Sequence, residues 1–289
     1  MALDIYASLK NTYKALLDSL RVATSNANNF NTSGYKASST RFAAVFARIV
    51  QTGTESTNPI SLGQSVQVSS VSTDYSPGPL SLGGKLDTAI VGEGFFITSA
   101  SSQEFGPNSD KTYTRAGRFQ VDFNNEYLVD GFGRKIFGYQ VNQNGGIVSN
   151  ELVPIQTDGE RDIGFVEGGV LVNNFQAQKD AINAGSTDAP EQTKLYRLAI
   201  SSFHNKEGLI PTTGTSWEPT LAAGTPITPG ISGEGIYGDI IGESLEGSNV
   251  DVAKVALDMT LINRALNAVN GIIDDVNKMI SNLISKLAG

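Results

Sequence analysis

The sequence contains no cysteine, which removes disulfides, thiolate metal sites and cysteine nucleophiles together. A single histidine, His204, leaves little material for a zinc site. Basic residues are outnumbered, 21 Lys and Arg against 29 Asp and Glu for a formal net charge of −8. They are also scattered, so no basic stripe exists for a nucleic-acid backbone to engage. Long apolar runs are missing as well. Asp4, Lys10, Asn11 and Lys14 interrupt the first segment, and the start Met1-Ala2-Leu3-Asp4-Ile5-Tyr6 has neither the basic opening nor the apolar core of a secretory signal. The expectation is no membrane span and, for a protein that leaves the cytoplasm, an export route without a cleaved signal.

Signatures of catalysis and cofactor binding are equally thin. Gly92-Glu93-Gly94 runs into Phe95-Phe96-Ile97, a strand pattern, whereas a phosphate loop must open a helix. Gly131-Phe132-Gly133-Arg134 and Asn144-Gly145-Gly146 fit turns, and no Gly-Lys-Ser/Thr sequence follows any glycine cluster. His204 follows Ser201-Ser202-Phe203, but no Gly-x-Ser-x-Gly elbow accompanies it. Asp87, Asp122 and Asp130 are carboxylates of a kind that hydrolyse glycosides in pairs. Each sits in a turn-forming context, where a solvated turn carboxylate is expected. Trp217 is the single Trp, too little for a stacking sugar site. No catalytic residue, cofactor or metal is expected.

What is present is an ordinary globular balance, 39% hydrophobic and 17% charged, arranged as helix, β body, helix. Tyr6, Leu9, Tyr13, Leu16 and Leu20 are spaced by three and four, one stripe of a first helix that Asn26 to Gly34 ends. At the other end Val252, Val255, Met259, Ile262, Leu266, Val269, Ile273, Val276, Ile280, Leu283 and Leu287 keep an unbroken three-four alternation, the pattern of a coiled-coil seam. Ser248 or Asn249 is a candidate N-cap, with Asp251 in the first turn. Ala256, Ala265, Ile272, Met279 and Ile284 widen the apolar face beyond a two-stranded seam, so more than one neighbour is implied. Gly271 inside this helix costs roughly 1 kcal/mol relative to Ala, for no reason visible in the sequence.

Between the helices, Val66 to Val71 alternates apolar and polar residues. Ile90-Val91 and Gly94 to Ile97 read as a buried strand pair, and Tyr113 to Arg115, Phe119 to Phe123 and Tyr127 to Val129 as hairpins turning at Ala116-Gly117 and Asn124-Asn125. Ser99 to Asp110 reads as a loop and Gln178 to Lys194 as a polar connection. The fold class expected is α+β, with N- and C-terminal helices forming a coiled coil (1–41 and 246–289) and a mainly antiparallel β body over 42–245, parted near 145 into 64–145 and 146–245.

Three separated segments carry a resemblance. Ser25 to Lys36, with Asn26, Asn29, Asn31, Thr32, Gly34 and Tyr35, resembles the Asn-rich motif that closes the first helix of bacterial flagellar rod and hook proteins. Leu86 to Phe96, with Gly92, Gly94, Phe95 and Phe96, and then Tyr113-Thr114-Arg115-Ala116-Gly117 resemble the strands that follow in that family. Leu245 to Asp251, with Ser248, Asn249 and Asp251, is similar to the opening of its last helix, and Phe203 to Leu209 to one of its turns. The departures are Ala27 and Asn28, where the family usually has Leu and Ala, and Leu261 to Ala265, which replaces a usual Ala-Gln-Arg-Ala.

The resemblance implies a structural subunit, closest to distal rod or short hook proteins, whose terminal helices pair around a central channel and polymerise with copies of themselves. It implies neighbouring rod and hook proteins and the flagellar export apparatus as partners. It implies a place in the flagellum from periplasm to exterior, and termini that order only on assembly. The segment Phe42 to Phe46 is hook-like, whereas the polar stretch Gln51 to Asn58 and the short region from Val141 to Leu198 favour a rod subunit over a short hook protein. A secreted β-domain adhesin with a helical oligomerisation tail would explain the heptads but not the Asn-rich motif.

Overall fold

A computed structural model of the protein describes residues 2–51, 60–99, 110–122, 124, 126–185 and 190–287. Most of Gln51 to Asn58 and Ser99 to Asp110 therefore lies outside the described residues. The fold is α+β and divides into two compact units, one of Met1–Phe30, Ala37–Tyr75 and Val250–Gly289, the other of Asn31–Lys36 and Ser76–Asn249.

The first unit contains helix α1 (Ala2–Asn28), strands β1 (Ser38–Gln51) and β2 (Ile60–Thr73), and helix α3 (Val252–Leu287). Strands β1 and β2 form one antiparallel ribbon, broken by register shifts such as that between Arg41 and Phe42. A two-stranded ribbon has no core of its own. Here α1 contacts both strands as well as α3, so the ribbon groups with the helices, whereas the change in composition pointed to a boundary near residue 41. Two polar ties fix α1 to β1. The Ser19 and Thr40 hydroxyls lie 2.8 Å apart. The Asn26 carboxamide donates to the Ser38 carbonyl at 2.7 Å and accepts from the Ser38 N–H at 3.0 Å, pairing with the strand as a neighbouring backbone would.

Helix α3 begins two or three residues later than a cap at Asn249 or Ser248 would give. Its cap is Asp251, whose Oδ1 accepts the Lys254 N–H at 3.1 Å, the bond of an N-cap to the third helical residue. Ser248 and Asn249 do not cap it. Asn249 instead donates its carboxamide to the Ser76 carbonyl at 3.1 Å within the second unit.

The second unit holds two five-stranded antiparallel sheets. One runs, in spatial order, Val153–Pro154, Phe137–Gln140, Lys194–Leu198, Val170–Asn173, Ile163–Val166. The other runs Ile200–Ser201, Phe95–Ser99, Lys111–Thr114, Ser216–Pro219, Leu209–Pro211. A core cluster including Phe96, Phe119, Leu128, Phe165, Leu198 and Ile240 joins strands of both. The apolar run Phe95-Phe96-Ile97 is continuous because its strand is buried on both faces. Phe96 meets Phe119 edge-on at 5.2 Å on one side, and Phe95 meets Trp217 at 5.5 Å on the other.

Two sequence expectations about strand pairing need correction. The strands holding Ile90 and Phe96 are consecutive but do not pair. Thr88–Val91 pairs with Asp239–Gly242, while Phe95–Ser99 pairs with Lys111–Thr114 and Ile200–Ser201. Ala116-Gly117 likewise closes no hairpin, whereas Gln120–Asp122 and Tyr127–Val129 do pair. Gln178 to Lys194 also begins inside a helix, α2 (Phe175–Asn183), rather than being a connection throughout. The local sequence conceals α2 because its cap is remote. Asn174 precedes it without capping it through its carboxamide, and the Asp162 carboxylate accepts from the N–H groups of Gln176 and Ala177 at 3.0 Å each. Desolvation pushes the Asp162 carboxyl up, and those backbone bonds with Lys85 outweigh it, holding it below its usual value.

Candidate functional site

The apolar stripe of α3 is a real boundary in the first unit. Val255, Leu266 and Val276 are buried and Met259, Ile262, Val269, Ile273 and Ile280 half-buried, while Val252 at the helix start is exposed. The side chains of Leu283 and Leu287 lie outside the described residues. On α1, Leu9, Tyr13, Leu16 and Leu20 are half-buried and Tyr6 is exposed; among the described side chains of the helix the buried ones are the small Ala15, Ser19 and Ala23 with Asn26. Small residues allow close approach of α1 to its neighbours, with the larger stripe flanking them. A second apolar stripe on α3 stays open: Leu257, Leu261, Ile272 and Met279 share one side of the helix and are between 49% and 58% exposed, while Ile284, 61% exposed, stands apart from them.

In the second unit the motif segments converge. Lys36 and Glu246 form a fully buried ion pair, Nζ to Oε1 at 2.6 Å with both side chains 0% exposed. The Lys36 ammonium also donates to the Ser76 carbonyl at 2.7 Å, and Glu246 Oε1 accepts the Gly78 N–H at 3.0 Å. Arg115, from the Tyr113-Thr114-Arg115 strand end, brings its guanidinium to 3.8 Å from Glu246 Oε2 and donates to the carbonyls of Gly92 at 2.6 Å and Ile90 at 3.3 Å. Burial pulls the Arg115 guanidinium down from its ordinary value, with Glu246 and then Glu93 opposing. The Glu246 carbonyl accepts from Gly34 N–H at 2.8 Å and the Ser33 hydroxyl at 3.0 Å. The Asn249 N–H reaches the Tyr35 carbonyl at 3.4 Å.

Close backbone approach explains two glycines there. Gly34 has φ +70°, and a Cβ on it would lie 2.4 Å from the Ala116 nitrogen; one on Gly117 would lie 1.7 Å from the Thr88 carbonyl oxygen. Among the remaining motif residues, Gly94 precedes the buried Phe95 and Phe96, Tyr113 is buried against Phe203, Ser248 is buried and Asn31 exposed. Thr32 accepts the Tyr35 N–H through its carbonyl at 3.2 Å. Asn29 folds its carboxamide onto the Ser25 carbonyl at 2.9 Å at the end of α1.

Lys36 and Glu246 stand inside the resembling segments, Lys36 two residues after Gly34 and Glu246 directly before Gly247, in stretches otherwise poor in charge. The sequence context of Asp130 predicts a solvated turn residue. Asp130 does shape its turn, accepting from the Phe132 N–H at 2.8 Å and the Arg134 N–H at 3.0 Å, but it is buried and ion-paired to Arg134 at 2.6 Å. Asp87 and Asp122 accept N–H bonds from Gly84 and Asn124 in their own turns. His204 is exposed on a loop, and Trp217 is buried in the aromatic core, where no ligand can stack on it. Among the described residues, no group of three or more His, Asp or Glu is placed to hold a metal, and no helix is long and apolar enough to cross a membrane.

No family model matches the sequence. The flagellar basal-body rod protein FlgG of Agrobacterium fabrum is 29% identical over 276 residues, 92% of this chain and 92% of that protein. FlgG of Bacillus subtilis is 26% identical over 273 residues, again 92% of each. The flagellar hook protein FlgE of Salmonella typhimurium is 26% identical over 112 residues, 39% of this chain and 28% of the hook protein. The separated motifs are tied to one another around Glu246, and the chain that carries them is similar over nearly its whole length to flagellar rod proteins and over part of it to a flagellar hook protein.

Proposed function

We propose that this protein is a structural subunit of the flagellar basal-body rod, without enzymatic activity, that polymerises through its terminal helices into a hollow torque-transmitting tube. The observation that carries the assembly reading is α3 itself, which is apolar on two sides. One stripe is turned inward, and Leu257, Leu261, Ile272, Met279 and Ile284 are left in water. A second copy supplying the missing cover would gain about 25 cal/mol for each Å² of apolar surface removed from water. Pairing of α1 and α3 as a coiled coil, ordering of both on assembly, delivery by the flagellar export apparatus and contact with adjacent rod and hook proteins follow from the same reading. The polymerisation face comprises the α1 and α3 stripes, from Tyr6 to Leu20 and from Val252 to Leu287.

The hook alternative is supported by the hook-like segment Phe42 to Phe46 and by partial matches to hook proteins such as that of Salmonella. Matches to rod proteins over 92% of both partners favour the rod. The test is Leu261→Asp. Leu261 is 52% exposed, and covering an unpaired carboxylate there with a second copy costs several kcal/mol. The variant should fail to form filaments while Trp217 fluorescence still reports a folded second unit. Filaments like those of the unmodified protein would refute the interface. Electron microscopy of assembled protein separates a straight rod from a curved hook.

A further inference from the structure

Gly271 is an unexplained cost in α3. A Cβ at this position would meet nothing within 4 Å, and both it and Asn270 are exposed, so no packing within the protein demands glycine. Alanine there would strengthen the helix. What glycine does provide is an unhindered backbone nitrogen directly after an asparagine carboxamide.

We propose that Asn270–Gly271 is a self-modification site, a succinimide-forming pair that α3 keeps closed while helical and opens when it unwinds. The Gly271 nitrogen attacks Asn270 Cγ, a new C–N bond forms, and the Cγ–Nδ2 bond of the carboxamide breaks. Ammonia departs with the proton that the Gly271 nitrogen gives up. Water then adds to one of the two ring carbonyls, leaving aspartate or isoaspartate at 270. No oxidant or reductant is involved. In the helix the Gly271 N–H is committed to a carbonyl one turn earlier, and Asn270 is held near a helical ψ of about −42°, far from the ring-closing geometry.

The product does not fit the helix it came from. A carboxylate at 270 stands one turn before Asp274, a like-charge pair that opposes helix formation. An isoaspartyl link adds a methylene to the backbone between Val269 and Ile273, both half-buried, and throws the stripe after it out of phase with the stripe before. Modification is therefore self-reinforcing: an α3 that unwinds for long loses the means to rewind. The inference concerns α3 alone and stands whether or not the protein polymerises.

The full-length protein, incubated in mildly alkaline buffer with and without urea and digested for mass spectrometry, reads conversion at 270 as a gain of one mass unit. The other Asn–Gly pair, Asn144–Gly145, lies in a turn and serves as a reference in the same digest. Conversion at Asn270 should be at least about tenfold faster in urea, since local opening limits it in the folded protein. Gly271→Ala should suppress conversion at 270 and leave Asn144 unchanged. Equal rates at 270 with and without urea would overturn the proposal. So would a urea sample in which Asn144 converts and Asn270 does not.

Discussion

Replacing Glu246 with Gln removes the one carboxylate that faces both Lys36 and Arg115, at 2.6 Å and 3.8 Å. Gln keeps an oxygen for the Gly78 N–H, and the Glu246 backbone bonds to Gly34 and Ser33 are untouched, so the change isolates charge. Two cations then remain buried without it, and breaking a buried pair from one side costs about 3–5 kcal/mol. Lys36→Met removes the charged hydrogen bonds to Glu246 and to the Ser76 carbonyl but is gentler, because Glu246 retains the Arg115 guanidinium and the Gly78 N–H and the Ser76 carbonyl retains the Asn249 carboxamide; about 2–3 kcal/mol is expected. The double variant should cost less than the sum of the two, since neither charge is then left opposite a vacant partner. Trp217, the single Trp and 4% exposed in the second unit, supplies the assay by fluorescence in urea. At roughly 2–4 °C per kcal/mol for a domain of this size, Glu246→Gln should lower the thermal midpoint by about 10 °C. A Glu246→Gln loss below about 1 kcal/mol, or a larger loss for Lys36→Met, would refute the account of the cluster, because the first is less than a single ordinary hydrogen bond.

Burial pushes the Tyr113 hydroxyl up to about 12, whereas its ordinary value is 10.0. Its contribution is complete below pH 10 and drains away between about 10 and 12, by about 2–3 kcal/mol in all; Tyr113→Phe should flatten that part of the alkaline limb when urea midpoints are measured against pH. Asp251→Ala removes the cap of α3 and should reduce its stability by about 1 kcal/mol, seen as lost helical circular dichroism with unchanged Trp217 emission. Asn26→Ala strips the Ser38 N–H and carbonyl of their partners and should weaken docking of α1 on β1 by about 2 kcal/mol, read as faster amide exchange at Ser38.

The terminal helices were legible because a three-four alternation is a local signal, and its buried positions in α3 fall on the stripe that the spacing gives. Strand partners were legible only where a short turn joined them, as between Asp122 and Tyr127. Thr88–Val91 finds its partner at Asp239–Gly242, and nothing near residue 90 announces a strand so distant. The same distance hid α2, capped by Asp162, and the ion pair of Lys36 with Glu246. Residue types at each end were visible, but their meeting is a property of the closed fold. Asp251 shows the opposite failure. Three eligible caps stood close together, and choosing among them needed the geometry of the turn rather than its composition.

The bonds around Ser76 have a mechanical consequence. The second unit ends one segment at Lys36, begins the next at Ser76 and ends it at Asn249. Lys36 and Asn249 both donate to the Ser76 carbonyl, at 2.7 Å and 3.1 Å. Tension applied through any one of these exits is shared at once with the other two, as in a rope whose strands are whipped together before they part. Parting these ends of the second unit's segments then requires the bonds to one carbonyl to fail together rather than one after another.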